Sequence, residues 1–450
     1  MSVSMMVTAQ ARMLAAARPV IAGRVSRILG LSLEVTGLQS PQALARSGSA
    51  VPVGTLLSIG AASIPAEVVA AEGSVLRCMP LAPLEGVAVG DEVQRAAGPA
   101  LVPVGAGLIG RVLDGLGRPL DGRGPLGPHD LVPLEQAPPT PMSRRRITEQ
   151  LQLGIRSIDA LASVGRGQRM GLFAGSGVGK SSLLSMVARG TEAAVNVIVL
   201  VGERGREVRE FLEDDLGAAG LARSVVVVAT SDEPAQMRLR AAFTGTRIAE
   251  HFRAQGQDVL MMMDSLTRVA MAQREIGLSA GEPPATRGYP PSTFSLLARL
   301  LERAGTDAAG TITGIYTVLV DGDDYNEPVA DAARSILDGH VVLDRALAAA
   351  GHYPPIDVLG SISRVAGRVI TPEQAATATS LRRVLAARRA AQDLLDVGAY
   401  QRGANAAVDA AVDHQDAIDG FLRQGLDQSI PLAVTWDHLR TLVRRWEGTS

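Results

Sequence analysis

Short runs of β-branched and apolar residues alternate with glycine and proline over residues 20–95. The runs are VIAGRV, LSLEVTGL, VPVGTLLSIG and AEVVAAEGSVLRCMPL. Strand-length apolar runs broken by turn residues are typical of small β-domains. The pattern therefore predicts several short strands joined by tight turns, in a small barrel or sandwich. The preceding residues, 1–19, predict a short amphipathic helix.

The hydrophobic pattern changes over residues 151–365. Fully apolar runs of strand length, such as VNVIVLVG, SVVVVAT and DVLMMMDS, are separated by amphipathic segments of helix length. Such strands, spaced by helices, are typical of a parallel sheet covered on both faces. We expect the chemistry of the chain here. The Gly- and Pro-rich stretch 98–150 is interpreted as a turn-rich connector, and its SRRR run at 143–146 as a solvated linker.

Beyond about residue 366 the pattern is helical and contains no strand run. Thr371 followed by Pro372 predicts a helix start, because Thr is favoured at the N-cap and Pro at the first helical position. A helical C-terminal domain is therefore expected.

Composition and charge narrow the function classes. Of 450 residues, 46% are hydrophobic and 20% are charged, as in ordinary globular proteins. The formal net charge of -2 provides no overall attraction for nucleic acid or for an acidic membrane surface. The single cysteine, Cys78, cannot form an intrachain disulfide, and the N-terminus lacks a signal-peptide pattern. We therefore expect a cytoplasmic protein with no nucleic-acid partner.

One glycine-rich run, AGSGVGKSS at residues 174–182, carries the strongest chemical signal. It lies between an apolar strand run and a helical pattern, as phosphate-binding P-loops do. In such a loop backbone N–H groups bind phosphate, the lysine contacts the β- and γ-phosphates, and the next hydroxyl binds Mg²⁺. The spacing gives these parts to Gly175, Ser176, Gly177, Val178, Gly179, Lys180, Ser181 and Ser182.

Two features of this run bear on which nucleotide it binds. Ala174 stands where such loops usually begin with glycine, a position that requires only a small residue if its φ is negative. A dinucleotide site is the competing interpretation, and it requires G-x-G-x-x-G. In GSGVGK the third glycine comes one residue early and a lysine stands in its place. The sequence therefore favours a nucleoside triphosphate over NAD.

Two carboxylates follow apolar strand runs. Asp264 ends DVLMMMD, and Glu203 follows VNVIVLVG directly before Arg204. Nucleotide hydrolysis needs a carboxylate near Mg²⁺ and a group that activates water, and these residues suit both tasks. An aspartate after a strand is equally typical of a turn or a helix cap, and the charges around Glu203 are equally typical of a solvated helix start. From the residues alone, both interpretations stay open.

Several long motifs together resemble a known family. They are GRVLDGLGRPLDGRGPL, GERGREVREF, MDSLTRVAMAQREIGLSAGEPPATRGYPPS and AGHYPPIDVLGSISRV, with the P-loop. They are similar to the hexameric ATPases related to the catalytic subunit of rotary ATP synthases, and within these to the flagellar protein-export ATPases, which also resemble this chain in carrying alanine at the Ala174 position. The resemblance implies an α/β P-loop (RecA-like) core over 96–365, an N-terminal small β-barrel over 20–95 and a C-terminal helical domain over 366–450.

The resemblance also implies roles for the motif residues, with ATP as substrate and Mg²⁺ as its cofactor. Lys180 is then the phosphate lysine, and Ser181 and Asp264 act near Mg²⁺. Glu203 is the base that activates water, and Arg204 helps to hold the γ-phosphate.

Three further residues take roles by resemblance. Tyr353 corresponds to the aromatic residue that stacks on adenine, which suits the apolar face of its ring; an ordinary half-buried tyrosine is the alternative. Tyr400 is a weaker candidate for the adenine pocket. Arg364 corresponds to the arginine finger that reaches the nucleotide of the neighbouring subunit, so hydrolysis would depend on assembly.

The implied function is ATP hydrolysis by a homohexameric ring in flagellar type III protein export, releasing export substrates from chaperones. The implied partners are a regulatory stator-like subunit, a central stalk subunit, the export gate, chaperones and substrates, at the inner face of the membrane. The virulence-type injectisome ATPase, with the same chemistry, is the alternative. An RNA-translocating helicase is disfavoured, because residues 1–95 contain no Phe, Trp or Tyr for base stacking.

Overall fold

The structure of the protein, a computed structural model, describes residues 22–38, 51–96, 99–320 and 327–447. The helix predicted over residues 1–19 lies outside the described residues. The described chain forms two compact units. The first comprises its residues up to Ala100 with the short segments 234–236 and 278–282, and the second comprises the remainder.

A closed six-stranded barrel forms most of the first unit. In chain order its strands are β1 (Ala22–Leu29), β2 (Ser32–Thr36), β3 (Leu56–Ile59), β4 (Ile64–Glu72), β5 (Val75–Pro80) and β6 (Glu92–Arg95). All neighbours pair antiparallel, in the closed order β1-β2-β5-β4-β3-β6. Burial alternates along the strands, as at Ile64, Ala66 and Val68 of β4, because only one face of each strand meets the core. Of the two predicted architectures, the barrel is confirmed.

The segment predicted as a turn-rich connector contains more structure than expected. β7 (Leu101–Val104) pairs antiparallel with β9 (Asp130–Pro133), and β8 (Val112–Asp114) joins the main sheet. Strands this short leave no recognisable pattern among so many Gly and Pro residues. Nor is the SRRR run wholly a solvated linker, because the half-buried Arg144 donates to the carbonyl oxygens of Ala304, over 2.8 Å, and Glu302.

A nine-stranded sheet lies at the centre of the described second unit. Besides β8 it contains β10 (Arg169–Ala174), β11 (Val195–Glu203), β12 (Ser224–Thr230), β13 (Asp258–Asp264), β14 (Gly305–Thr306), β15 (Thr311–Leu319), β16 (Gly339–Leu343) and β17 (Ile356–Ser363). The order is β17-β16-β10-β15-β13-β11-β12-β8, with β14 beside β15. The predicted parallel sheet is present; only β14 and β17 run antiparallel to their neighbours.

Helices connect the strands of this sheet. They are α1 (Arg156–Leu161), α2 (Lys180–Gly190), α3 (Gly205–Glu210), α4 (Gly217–Leu221), α5 (Ala235–Ala254), α6 (Leu266–Ala280), α7 (Pro291–Glu302), α8 (Pro328–Ile336) and α9 (Arg345–Ala349). A π-helical turn, Phe211–Leu216, joins α3 to α4. β11 and β12 are buried along almost their whole length, as their continuous apolar runs predict.

The C-terminal part of the described chain is helical, as predicted. Its helices are α10 (Ala366–Val369), α11 (Pro372–Ala390), α12 (Gln392–Asp396), α13 (Ala406–Asp413), α14 (Gln415–Leu422) and α15 (Leu432–Glu447). Thr371 caps α11 as expected, since its Oγ1 accepts from the N–H of Gln374 over 3.2 Å. Leu381 and Leu439 share one apolar core with Leu153 near the sheet. The packing is therefore continuous across residue 366, and the domain limits stay predictions.

Candidate nucleotide-binding site

The glycine-rich run joins β10 to α2 at the edge where the parallel strands end, which we call the carboxyl edge. Ala174 is the last residue of β10 and is buried in extended backbone, so its methyl group fits without conformational strain. Gly177 and Gly179 have φ angles of 75° and 97°, which a residue with a Cβ adopts only at a cost. The helix begins at Lys180, directly after Gly179. The remaining predicted residues lie between these positions or in the first turn of α2: Gly175, Ser176, Val178, Ser181 and Ser182.

Three charged side chains meet at the carboxyl edge. Nζ of Lys180 lies 2.6 Å from Oδ1 of Asp264 and 3.3 Å from Oε1 of Glu203. Asp264 ends β13 and Glu203 ends β11, and parallel pairing brings these strand ends to the same edge. Oγ1 of Thr317, in β15, donates to Oδ1 of Asp264 over 2.7 Å. The structure thus brings together three residues selected by motif, and adds Thr317, whose hydroxyl inside a strand gives no sequence signal.

Burial and mutual charge shift the pKa values of these groups. Burial raises the pKa of the Glu203 carboxyl, and the opposing effect of Lys180 is smaller. Burial by itself lowers the pKa of Lys180, but the Asp264 and Glu203 carboxylates outweigh it, so the net shift is upward. Lys180 therefore stays charged, and Glu203 binds a proton more readily than a free glutamate does. A carboxylate of raised pKa is a better general base.

The side-chain oxygen atoms of Asp264 and Ser181, near Lys180, are suitable ligands for Mg²⁺. Within the described residues no group of three or more His, Cys, Asp and Glu side chains is arranged to hold a metal. Mg²⁺, however, commonly takes one or two protein oxygens and completes its shell with substrate phosphate and water. Asp264 provides a carboxylate, and the hydroxyl of Ser181 in α2 has no hydrogen bond to any part of the described chain. Both donors are oxygens of the kind that Mg²⁺ prefers.

Tyr353 lies beside the phosphate loop, between α9 and β17. A methyl group on Gly179 would lie 3.9 Å from Cε1 of Tyr353, whose side chain is 47% exposed. The N–H of Gln424, which follows α14, donates to the carbonyl oxygen of Tyr353 over 2.9 Å. A half-exposed aromatic ring at the end of a phosphate loop has the properties that base stacking needs.

Tyr400 is placed by the structure between α12 and α13. Its hydroxyl lies 3.0 Å from Oδ1 of Asp409, and the N–H of Asn405 donates to it over 3.2 Å. The Tyr400 hydroxyl thus organises its own loop. Its place in an adenine pocket stays a prediction.

The two arginines selected by resemblance do not join the Lys180 cluster. The Arg204 side chain is 74% exposed and pairs with Glu207 over 3.1 Å. Arg364 follows β17, which pairs Ile356 with Leu343 at the carboxyl edge and Ser363 with Gly339 at the opposite edge. Gly339 and Leu343 are four residues apart in β16, so at about 3.3 Å per strand residue the two edges are about 13 Å apart here. Arg364 therefore lies across the sheet from the phosphate loop of its own chain.

Arg268 was missed by sequence reasoning. It lies in the first turn of α6, four residues after Asp264, and its aliphatic stem packs on Gly202, the neighbour of Glu203. Its Nε is buried and has no hydrogen-bond partner in the described structure. A buried guanidinium nitrogen normally has a partner, so this group is available to an anion. The signal that was available is an arginine one helical turn after a strand-end carboxylate.

Fold and site define the class of protein. A strand, a glycine-rich turn with its lysine at a helix start, and strand-end carboxylates form the site of a P-loop ATPase. The family model described as "ATP synthase alpha/beta family, nucleotide-binding domain" matches residues 154–363. None of the helices in the described ranges is both long and apolar enough to cross a bilayer.

Comparison with known proteins shows to which P-loop ATPases the chain is similar. The model described as "T3SS EscN ATPase C-terminal domain" matches residues 370–441. The chain is 52% identical to the flagellum-specific ATP synthase of Bacillus subtilis, covering 90% of this chain and 91% of that protein. It is 48% identical to the type 3 secretion system ATPase of Xanthomonas euvesicatoria, covering 90% of each.

Solved structures agree with this placement. The assembled ATPase EscN of enteropathogenic E. coli, alone or with its central stalk EscO, matches with a TM-score of 0.85 at 39% identity, covering 94% of this chain and 100% of EscN. The chain therefore belongs to the family of flagellum-specific and type III secretion ATPases, and is an ATPase.

Proposed function

We propose that this ATPase works in flagellar protein export, in a homohexameric ring whose ATP hydrolysis releases export substrates from their chaperones. The observation that carries the enzymatic part is the contact of Lys180 with both Asp264 and Glu203 beside the phosphate loop. The flagellar part is supported by the B. subtilis relative, which is more similar than the X. euvesicatoria secretion ATPase, at 52% against 48% identity.

Each residue of the site has a separate role in ATP binding or hydrolysis. The N–H groups of residues 175–182 and Lys180 bind the phosphates, and Ser181 and Asp264 hold Mg²⁺, which supplies charge neutralisation when bound. Glu203, whose pKa is raised by burial, accepts a proton from the attacking water. Tyr353 stacks on the adenine ring.

Arginines neutralise the charge that develops on the terminal phosphate. Arg268 has a buried, unpaired Nε next to the Glu203 strand end. Arg204 directly follows Glu203 and is held by Glu207 at the surface, so it reaches the phosphate only by exchanging that partner. These groups act where negative charge accumulates in phosphoryl transfer.

Arg364 acts on the nucleotide of a neighbouring subunit. It lies across the sheet from its own phosphate loop, so it serves a site in trans. Such an arrangement makes hydrolysis depend on the ring, and it is supported by the likeness to EscN, which was solved as an assembled ATPase.

The remaining partners follow from the family. We propose a central stalk subunit, as in the EscN–EscO complex, together with a regulatory stator-like subunit, the export gate, chaperones and export substrates. The ring would lie in the cytoplasm at the inner face of the membrane. The injectisome role is the second candidate, supported by the X. euvesicatoria and EscN relatives.

Deletion of the gene in its own organism tests the function. We expect loss of filaments and motility, restored by the wild-type gene and not by a Lys180→Ala copy. Loss of effector secretion with filaments intact would instead assign the injectisome role. If neither filaments nor secretion change, the export function is wrong, whatever the ATPase activity of the purified protein.

A further inference from the structure

The segment 344–356, which carries Tyr353, is closed by its own hydrogen bonds. The N–H of Asp344 donates to the carbonyl oxygen of Pro355 over 2.8 Å, and the N–H of His352 donates to that of Leu347 over 2.9 Å. The Asp344 carboxylate accepts from the N–H of Leu347 over 2.8 Å and so caps α9. The segment is therefore a local unit that presents its side chains in fixed relation to one another.

This unit touches the phosphate loop at both ends. Tyr353 lies at the Gly179 end, as described above. At the other end a methyl group on Gly175 would lie 2.8 Å from Nη2 and 3.8 Å from Cζ of Arg345, the first residue of α9. The Arg345 guanidinium thus lies against the backbone of the second loop residue. Because β16 runs parallel to β10, Arg345 is at the carboxyl edge with Lys180.

Within the described ranges, no carboxylate neutralises the charge of Arg345. Arg169, in β10, pairs with Glu302 and Asp338, and Arg204 pairs with Glu207. Arg345 is exposed and has no ion pair or hydrogen bond with any residue in the described ranges. The adjacent carboxylate, Asp344, is occupied in capping its own helix. A positive group that lies against the glycine-rich loop and has no carboxylate partner among the described residues is available to an anionic ligand.

The contacts of Tyr353 with Gly179 and of Arg345 with Gly175 distinguish the two ends of the loop. If adenine stacks on Tyr353 at the Gly179 end, as proposed above, the triphosphate would extend along the loop away from that end. Arg345 stands at the Gly175 end. We propose that Arg345 binds the terminal phosphate of the nucleotide, as part of ATP and as the inorganic phosphate released from it. This assignment rests on the proposed ATP hydrolysis at this site and adds a phosphate-binding residue to it.

Equilibrium binding and product inhibition test this role. In an Arg345→Gln variant we expect about tenfold weaker binding of a non-hydrolysable ATP analogue and about tenfold weaker inhibition by inorganic phosphate, because a charge-assisted hydrogen bond is lost. ADP binding should change by less than about twofold, since ADP lacks the terminal phosphate. Arg383→Gln is the matched control, because Arg383 is an exposed arginine on α11; it should leave all three constants unchanged.

The outcomes distinguish whether Arg345 contacts the terminal phosphate of ATP or the released inorganic phosphate. Weakening of the ATP analogue alone assigns the contact to the substrate, and weakening of phosphate inhibition alone assigns it to the product. Unchanged constants, or ADP weakened as much as the ATP analogue, overturn the proposal. If melting shows that Arg345→Gln is unfolded, Arg345→Lys is measured instead, with an expected loss of about threefold because lysine keeps the charge without the fork of donors. A wild-type protein that binds no ATP analogue would contradict the proposed function itself.

Discussion

Nζ of Lys180 lies 2.6 Å from Oδ1 of Asp264, the same oxygen that accepts the hydrogen bond from Thr317. Asp264, which pairs with Lys180, is therefore also fixed by a hydrogen bond from a residue on a neighbouring strand. In the proposed role of Lys180, phosphate would compete with Asp264 for the ammonium group, and the Thr317 hydrogen bond would keep Asp264 in place. This arrangement agrees with the proposed binding of ATP together with Mg²⁺.

Replacement of Glu203 by glutamine should separate binding from turnover. The amide keeps the size of the side chain and an oxygen for Lys180, but it cannot accept a proton from water. We expect phosphate release to fall by about a hundredfold or more, while the dissociation constant of a fluorescent ATP analogue stays within about threefold. Both are measured on the purified protein. Glu210→Gln is the control, because Glu210 is an exposed partner of Arg206 on the same helix. Near-normal turnover in Glu203→Gln would remove this residue as the base.

The sequence predicted the strands and the motif residues of this site, but not all the residues that surround them. Continuous apolar runs predicted β11 and β13, whose ends share an edge of a parallel sheet, but the residues alone left the roles of Glu203 and Asp264 open and only the family resemblance assigned them. Thr317 and Arg345 could not be found this way, because their roles depend on which strands are neighbours. Strand order is set by packing across the whole sheet and leaves no periodic signal in the chain. The three residues of β8 were missed for a related reason, since their pairing with β12 is long-range.

Mixed rings test whether Arg364 acts in trans. Arg364→Ala and Lys180→Ala subunits should each be inactive alone. When they are mixed, a site with an intact Lys180 can receive an intact Arg364 from its neighbour. In a random equal mixture about one quarter of the interfaces combine both, so we expect recovery of up to about one quarter of wild-type hydrolysis. Measured phosphate release that stays at the level of the single variants would contradict the arrangement, provided that sedimentation shows mixed rings.

Exchange of alanine and glycine should affect hydrolysis little at Ala174, the first loop position, and strongly at Gly179, the sixth. Ala174→Gly removes a methyl group from extended backbone, and we expect hydrolysis within about twofold of wild type. Gly179→Ala places a Cβ where φ is 97°, at a conformational cost of about 1–2 kcal/mol. Because the loop relaxes to relieve this strain, we expect the KM for ATP to rise by about tenfold. Steady-state kinetics measure the rate of hydrolysis and the KM for ATP of the two variants. Equal changes of KM in both would show that the backbone conformation at Gly179 does not control ATP binding.

Asp159 gives the fold a pH dependence that is separate from catalysis. This fully buried residue of α1 accepts hydrogen bonds from the N–H groups of Leu153, over 3.0 Å, and Gly154, over 2.9 Å. Burial raises its pKa to about 7, although these hydrogen bonds oppose the shift. In the unfolded chain the value is about 3.9. Between these values the folded protein binds the proton that the unfolded chain has lost, so the contribution of this group to stability falls as pH rises.

An Asp159→Asn variant isolates this contribution, because the amide does not titrate. The free energy of unfolding of the wild type, relative to the variant, should decrease by about 2–3 kcal/mol between pH 5 and pH 8. Urea unfolding of both proteins at the two pH values measures it, and the other titrating groups cancel in the comparison. Glu192 also raises the pKa of Asp159, through its charge, and pairs with Arg166 over 2.7 Å. A Glu192→Gln background should therefore shift the transition to lower pH without removing it. A difference between wild type and Asp159→Asn that is the same at both pH values would show that Asp159 does not bind its proton in the fold over this range.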